Sequence, residues 1–204
     1  MAKVTPEMIR KLRELSGAGM MDCKQALEET DGDIDKAMTL LREKGIARAV
    51  KREGRETGQG LVEAYLHSTG DGLPPQVGVL VEVDCETDFV AKGQDFRKLA
   101  KELALQIAGY QPRWVSRDDV PDEVLKVERE VAEAKAEQDG KPPQAIEKIV
   151  QGTVEKFIKD NVLLEQPYFR EPKLTVQDLI KENISKLQEN ITVRRFSRFN
   201  VREA

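Results

Sequence analysis

Few residues in this sequence have side chains that commonly carry out chemistry. There is one histidine, His67, and there are two cysteines, Cys23 and Cys85, which lie far apart without metal-ligand spacing around them. The sequence contains no phosphate-binding loop, no Gly-x-Gly-x-x-Gly and no Gly-x-Ser-x-Gly. Nucleotide binding or acyl transfer by those devices is therefore unsupported, and an enzyme using carboxylates or lysines alone stays open. His67 by itself is typical of a surface or hydrogen-bonding residue.

The stretch CETDFVAK, which begins at Cys85, raises a sharper question. It follows VGVLVEVD, whose valines alternate as in a buried strand. By parity Phe89 falls on the valine side, so a continuing strand would bury it. Glu86, Thr87 and Asp88 are poorly suited to the interior of a buried strand, which favours a loop that exposes Phe89 instead. The residues alone leave both alternatives open.

The composition is that of a folded binding protein. The 204 residues are 34% charged and 39% hydrophobic, which excludes a disordered chain. A net charge of −4 argues against a dedicated nucleic-acid binder, so no direct nucleic-acid contact is expected. No apolar run reaches membrane-spanning length, and MAKVTPEM lacks the apolar stretch of a signal peptide. Together with the isolated cysteines, these features predict a cytoplasmic location.

The first forty residues predict a small helical bundle. Thr5 and Pro6 form a helix start, and apolar residues then recur at helical spacing. The tetrapeptide GAGM breaks this helix, and Met20 in that turn is expected to be an exposed, adaptable contact. Two further helices follow, the second of them capped by Asp33.

Residues 42–55, REKGIARAVKREGR, carry six cations against two acids, a local charge of +4. Such a run is usually a solvated helical linker. The alternative is an electrostatic contact with RNA or with an acidic partner. Both interpretations remain open here.

The rest of the chain predicts an α+β core. LVEAYLHS and VGVLVEVD form a hairpin candidate, and ITVRRFSRFNV is a third strand whose alternation fails at Arg194-Arg195, as at a bulge. On the first strand, Val62, Ala64 and Leu66 are expected to face the core, with His67 opposite. The helices comprise an amphipathic one through Phe96 to Ile107, a hairpin closed by GKPPQ, and a last one after Thr175.

Several long segments together resemble one family. They are SGAGMMDCKQALEETDGDIDKAMTLLREKG, ETDFVAK, GKPPQAIEKIVQG, LLEQPYF and VRRFSRF. In this order they resemble the signatures of the bacterial elongation factor Ts family, in its short form, over nearly the whole chain. The resemblance implies a ubiquitin-associated-like three-helix head with the start of a basic linker at 1–54. It also implies an α+β core at 55–204, with a three-stranded antiparallel sheet, packed helices and a helical hairpin at about 118–165.

The resemblance also implies a function. Members of the family are guanine-nucleotide exchange factors for elongation factor Tu and perform no covalent chemistry of their own, so no cofactor is expected. The segment Thr87, Asp88, Phe89 and Val90 matches the family segment that dislodges Mg²⁺ from the partner. The head contacts of the family map onto Arg13, Met20 and Met21, and His67 aligns with a family histidine near the partner's phosphate loop.

Two departures from the family pattern bear on assembly. Longer members carry a duplicated core and a longer coiled-coil insertion, whereas this chain has room for one core subdomain. Short members can pair into dimers, so a homodimer in a two-to-two complex with elongation factor Tu is a further expectation. Some short forms have a cysteine in the terminal Arg-Phe-x-Arg-Phe, but the residue here is Ser197, which excludes a disulfide at that position.

Overall fold

The computed structural model describes residues 4–70 and 72–201 of an α+β protein, which confirms the predicted fold class. Residues 1–3, 71 and 202–204 lie outside the described part. The expectation that MAKVTPEM is not a signal peptide therefore falls partly outside the described residues. Among the described residues, no helix combines the length and the apolar character that crossing a membrane requires.

The head consists of three helices, α1 (Pro6–Ser16), α2 (Met20–Glu29) and α3 (Ile34–Val50). The predicted helix starts are confirmed, because Thr5 accepts a hydrogen bond from the Met8 amide at 3.3 Å and Asp33 caps α3. Gly17 ends α1 in the left-handed region, at φ 66°, which favours glycine. The three helices enclose a small core of fully buried residues: Leu12, Cys23, Ala26, Leu27 and Ala37.

Three strands form an antiparallel sheet in the order β1-β2-β5. They are β1 (Gln59–His67), β2 (Val77–Cys85) and β5 (Ile191–Asn200), as the sequence predicts. The burial alternation of β5 changes phase at Arg194-Arg195, where both residues are exposed, and the bulge at this point stays a prediction. A second sheet of two short strands, β3 (Pro167–Tyr168) and β4 (Glu171–Thr175), was not predicted.

The expected orientation of β1 is wrong. Val62 and Leu66 are 63% and 68% exposed, and Ala64 is exposed as well. The intervening Glu63 and Tyr65 are partly buried. Alternation identifies which residues share a face, but it does not identify the face that is covered, and here the apolar row faces outwards.

Besides two 3-10 helices of three residues each (Arg117–Asp119 and Leu163–Glu165), the described chain has five more α-helices: α4 (Asp88–Ala91), α5 (Gln94–Tyr110), α6 (Asp122–Gln138), α7 (Pro143–Asn161) and α8 (Val176–Leu187). The predicted stripe of α5 from Phe96 to Ile107 is buried. Helices α6 and α7 form the predicted hairpin, and α8 begins directly after Thr175.

The chain contains two compact units, each assembled from separate stretches of sequence. The first comprises residues 1–60, 84–99 and 178–192, and therefore contains the head, the CETDFVAK segment and most of α8. The second comprises residues 61–83, 100–177 and 193–204, and contains most of the sheet and the α6–α7 hairpin.

Candidate functional site

The CETDFVAK segment leaves the sheet at Cys85 and turns into the single-turn helix α4. Phe89, the second residue of α4, is 84% exposed. Its neighbours Val90 and Ala91 are buried. Because the strand ends before Phe89, strand parity does not extend to it, and a large aromatic side chain is presented outside the fold.

Thr87 sets the start of α4. It has extended backbone geometry, and its hydroxyl accepts a hydrogen bond from the Val90 amide at 3.4 Å, as an N-cap residue does. Gly93 closes the other end of α4. A Cβ at Gly93 would lie only 3.0 Å from the carbonyl oxygen of Val90, so the turn into α5 favours a residue without a side chain.

Asp88 lies exposed at the first position of α4. Lys92 donates a hydrogen bond to its carboxylate at 2.6 Å, one turn along the chain. This bond, with the positive charge of Lys92, holds the pKa of Asp88 below its usual range. Asp88 is therefore an ionised, solvent-facing carboxylate next to the exposed Phe89.

Glu189, which the sequence analysis did not identify, contacts the same segment. Its carboxylate accepts hydrogen bonds from the backbone amides of Glu86 and Thr87, at 3.1 and 3.0 Å, and from the Thr87 hydroxyl at 2.6 Å. Glu189 lies 102 residues after Thr87, in the short connection between α8 and β5. No local motif relates residues that distant in sequence, so spacing could not have revealed the contact.

Cys85 lies beneath the segment as a buried thiol that donates to the Thr87 carbonyl oxygen at 3.2 Å. Burial is the main reason that its pKa is raised, to about 11, and the negative charge of Glu189 adds to the effect. The thiol is consequently neutral at physiological pH and acts as a packing and hydrogen-bonding group.

The predicted head contacts lie on α1 and α2. Met20 and Met21 are 50% and 74% exposed, and Arg13 is exposed too. Met20 is the first residue of α2, so it extends from a helix end and not from the predicted turn. Arg13 lines a cavity of about 470 Å³ in the first unit, together with the Gly17–Gly19 turn. Among the described residues, no hydrogen bond or ion pair joins Arg13 to Thr87 or to the residues of α4.

The first nine residues of the basic stretch 42–55 continue α3, so this part of the stretch is helical, as the linker interpretation predicts. Most of its cations have partners within the first unit. Arg48 forms two bonds to Asp22, at 2.7 and 2.8 Å, and lowers the pKa of that carboxyl by hydrogen bonding. The other pairs are Arg42 with Glu182, Lys44 with Glu29, Arg52 with Gln188, and Arg55 with Glu86. These pairs favour a structural role for the stretch over an RNA contact.

His67 ends β1, in the second unit, and its side chain is exposed. Its Nδ1 lies 3.1 Å from the hydroxyl of Tyr65, and the two rings stack with centroids 6.2 Å apart. The pair presents an oriented imidazole at the strand end. In the described part of the chain, no group of three or more histidine, cysteine, aspartate or glutamate side chains could hold a metal ion.

Comparison with known proteins agrees with the signatures. Residues 2–203 match the family described as Elongation factor TS. The chain belongs to the elongation factor Ts family. It is 53% identical to the elongation factor Ts of Caldanaerobacter subterraneus subsp. tengcongensis, over 96% of each chain. It is also 53% identical to that of Frankia alni over the full length of both, and 51% identical to that of Carboxydothermus hydrogenoformans over 98% of this chain and 90% of the relative.

Membership gives the chain a role in protein biosynthesis, as a nucleotide-exchange factor of translation elongation. The lengths of these relatives are close to that of this chain, so the similarity is not limited to one part of the protein. The residues through which this chain acts are a separate matter, which the geometry of the CETDFVAK segment addresses.

Proposed function

We propose that this chain promotes GDP release from elongation factor Tu by presenting Phe89 and Asp88 to the partner's Mg²⁺ and phosphate site. The observation that carries the proposal is the exposure of Phe89, which is 84% accessible although Val90 and Ala91, the next two residues, are buried. An aromatic residue held outside the fold by a capped turn is suited to enter a pocket of another protein. The Thr87–Val90 segment is thus the part of the chain that displaces Mg²⁺.

The exchange requires no covalent step and no cofactor. GDP on such a GTPase is held by Mg²⁺ and by the phosphate-binding loop, and a factor releases it by binding the nucleotide-free form more tightly. Coupling is reciprocal. The factor by which this chain weakens the binding of GDP to the partner is also the factor by which GDP weakens the binding of this chain to the partner. The chain stabilises the nucleotide-free state by the difference between its binding free energies to the nucleotide-free and to the GDP-bound partner.

Phe89 does not provide all of the required free energy. A ten-thousandfold weakening of GDP needs a differential of about 5.5 kcal/mol. Burying one aromatic side chain contributes about 1.5–3 kcal/mol. The remainder comes from Asp88, which disturbs the near-octahedral shell of Mg²⁺, and from the head contacts of Arg13, Met20 and Met21 with the partner's nucleotide domain.

His67 is proposed to approach the phosphate loop of the partner. Its stacked and hydrogen-bonded arrangement with Tyr65 fixes the ring at the end of β1, which supports a directed contact. The place of action is the cytoplasm, where translation elongation proceeds.

A homodimer is proposed as the assembly that forms a two-to-two complex with elongation factor Tu. The open face of the sheet supports it, because Val62, Leu66 and Leu80 are all exposed there. Leu66 lies over Gly78, because a Cβ added to Gly78 would be 3.3 Å from the Leu66 side chain. The apolar rows of β1 and β2 therefore share this face. A second copy is a suitable cover, since an isologous interface pairs the same apolar patch from each chain.

The experiment that tests the exchange proposal is release of a fluorescent GDP analogue from elongation factor Tu. The Phe89→Ala variant is expected to lower the release rate by about tenfold or more, because about 1.5–3 kcal/mol of aromatic burial is lost. The matched control is Leu73→Ala, which removes another exposed apolar side chain, 53% accessible, from a different loop. An unchanged rate with Phe89→Ala would contradict the proposal.

A further inference from the structure

The CETDFVAK segment, residues 85–92, is called the exchange segment below. Glu189 is joined to it by three hydrogen bonds that use both carboxylate oxygens of Glu189. Oε2 accepts from the amides of Glu86 and Thr87, and Oε1 accepts from the Thr87 hydroxyl. Because two successive amides donate to one oxygen, Glu189 fixes the backbone at Glu86 and Thr87 as well as the Thr87 side chain. Hydrogen bonds to a charged acceptor are shorter and stronger than neutral ones.

The bond to the Thr87 hydroxyl also determines how α4 begins. Because this hydroxyl donates its proton to Glu189 at 2.6 Å, its lone pairs remain available to the Val90 amide. Glu189 therefore holds Thr87 in the orientation that an N-cap residue needs. The orientation of α4 in turn decides that Val90 lies inside and Phe89 outside.

A second set of contacts supports Glu189 from its neighbour in sequence. The Asn190 amide donates to Oε1 of Glu86 at 2.6 Å, and the Asn190 side chain donates to the Arg55 carbonyl oxygen at 2.8 Å. Arg55 also lies 3.6 Å from the Glu86 carboxylate. The α8–β5 connection is thus attached both to the exchange segment and to the end of the basic stretch, so Glu189 itself is held in place.

We infer that Glu189 is a positioning residue for nucleotide exchange, which holds the Thr87–Val90 segment in its active shape before the partner arrives. This inference rests on the proposed function of that segment. A loop ordered in advance avoids the entropic cost of being ordered at the interface. Without Glu189, part of the free energy gained from Phe89 would be consumed in ordering the loop, and less would remain to displace GDP.

The first test uses the free chain, with backbone amide hydrogen exchange followed residue by residue. Glu189→Ala is expected to accelerate exchange at the Glu86 and Thr87 amides by about tenfold or more, because charge-assisted hydrogen bonds are lost. Glu189→Gln keeps a carbonyl oxygen for both amides, and its NH₂ group can donate to the Thr87 hydroxyl oxygen, so amide exchange in this variant is expected to stay within about threefold of wild type. Unchanged protection of buried Val81 shows that each variant is folded.

The second test measures GDP release from elongation factor Tu as the concentration of the chain is varied. Glu189→Ala is expected to lower the rate at saturation by about tenfold, with the half-saturating concentration changed less than about threefold. Glu189→Gln is expected to restore most of the rate. A role in overall stability alone would behave differently, because a smaller folded fraction raises the half-saturating concentration and leaves the saturated rate unchanged.

The matched control is Gln188→Ala, at the adjacent position of the α8–β5 connection. The Gln188 side chain accepts a bond from Arg52 and donates to the Ser185 carbonyl oxygen, so it makes no bond to the exchange segment. Its saturated rate is expected to equal that of wild type. Three outcomes would overturn the inference. The saturated rate could be unchanged in Glu189→Ala, or it could be lowered equally in Gln188→Ala. The third outcome is unchanged hydrogen exchange of the Glu86 and Thr87 amides in Glu189→Ala. If wild type itself fails to accelerate release, the proposed function fails, and amide exchange alone decides whether Glu189 orders the segment.

Discussion

At the scale of single residues, Phe89 and Val90 are neighbours with opposite environments. Val90 is buried and its amide is bonded to the Thr87 hydroxyl, whereas Phe89 is 84% exposed. An exposed aromatic side chain contributes little to the stability of the free chain, so under the proposed function the benefit of Phe89 arises in the complex with the partner. Stability and exchange should therefore respond to different residues of this one short helix.

The first prediction separates these effects by denaturation. Phe89→Ala is expected to change the free energy of unfolding by less than about 0.5 kcal/mol, as is usual for exposed sites. Val90→Ala is expected to lower it by about 1.5 kcal/mol, since two buried methyl groups are lost. Urea unfolding followed by circular dichroism measures both. Equal losses from the two variants would show that Phe89 packs against the fold.

The second prediction concerns the pH dependence at Cys85. Its pKa in the folded chain is raised from 9.0 to about 11, so the folded state retains the thiol proton more tightly than the unfolded state does. The contribution of Cys85 to stability is thus complete below pH 9 and is lost as the pH rises towards 11. At pH 9, alkylation of Cys85 is expected to be at least about fifty times slower in the native chain than in urea, because the raised pKa lowers the thiolate fraction and burial also shields the sulfur. Peptide mass spectrometry measures this ratio, and comparable rates in both states would contradict the raised pKa.

At the scale of elements, the junction between α4 and α5 depends on a close approach of backbone atoms. Gly93 lies where any Cβ would be 3.0 Å from the Val90 carbonyl oxygen, and its own amide donates to that oxygen at 2.9 Å. Backbone atoms cannot move aside as the end of a flexible side chain can. The junction therefore transmits a substitution at Gly93 directly to the helix that carries Phe89.

The third prediction tests that junction with Gly93→Ala. The added methyl group is expected to cost about 1–3 kcal/mol, as overpacking does, and to lower the thermal midpoint. Gly152→Ala is the matched control, because Gly152 lies within α7 with open space around it. Alanine there is expected to stabilise the chain by about 0.5–1 kcal/mol through its better helix propensity. Calorimetry compares the two variants, and a neutral Gly93→Ala would mean that the turn can relax.

At the scale of the whole molecule, the sheet presents exposed apolar side chains on β1 and β2 of the second unit. Val62 and Leu66 on β1 and Leu80 on β2 are exposed apolar residues of this face, and Leu66 lies over Gly78. Patches of this kind on otherwise charged proteins mark association surfaces. With serine at position 197, pairing would rest on this non-covalent surface alone.

The fourth prediction is that the chain sediments and scatters light as a dimer, at twice the 23.0 kDa of one copy. Leu66→Glu is expected to shift it to the mass of one copy, because a buried charge at the interface has no partner. Val127→Glu serves as the control, since Val127 is also exposed but lies on α6, away from the sheet. A dimer that survives Leu66→Glu, or a wild-type chain with the mass of one copy, would contradict the proposed pairing.

Much of the architecture could be predicted from local patterns. Caps at Thr5 and Asp33, the stripe of α5, the turn GKPPQ and the alternation of β2 each act within a few residues, where propensity and hydrogen bonding operate. Helices, strands and the hairpin were accordingly found close to their observed positions. The short β3–β4 pair was missed because β3 has only two residues and the five residues of β4 do not alternate between buried and exposed.

What the sequence by itself determined is therefore the order and kind of the elements, together with the family, whose signatures are contiguous in the chain. Only the tertiary structure decided that Val62, Ala64 and Leu66 face outwards, since alternation is symmetric between the two faces of a strand. Only it decided the environment of Phe89, which depends on Glu189, 102 residues after Thr87, holding the turn that ends the strand. Contacts across such a distance are set by packing of the whole fold, and no local pattern encodes them.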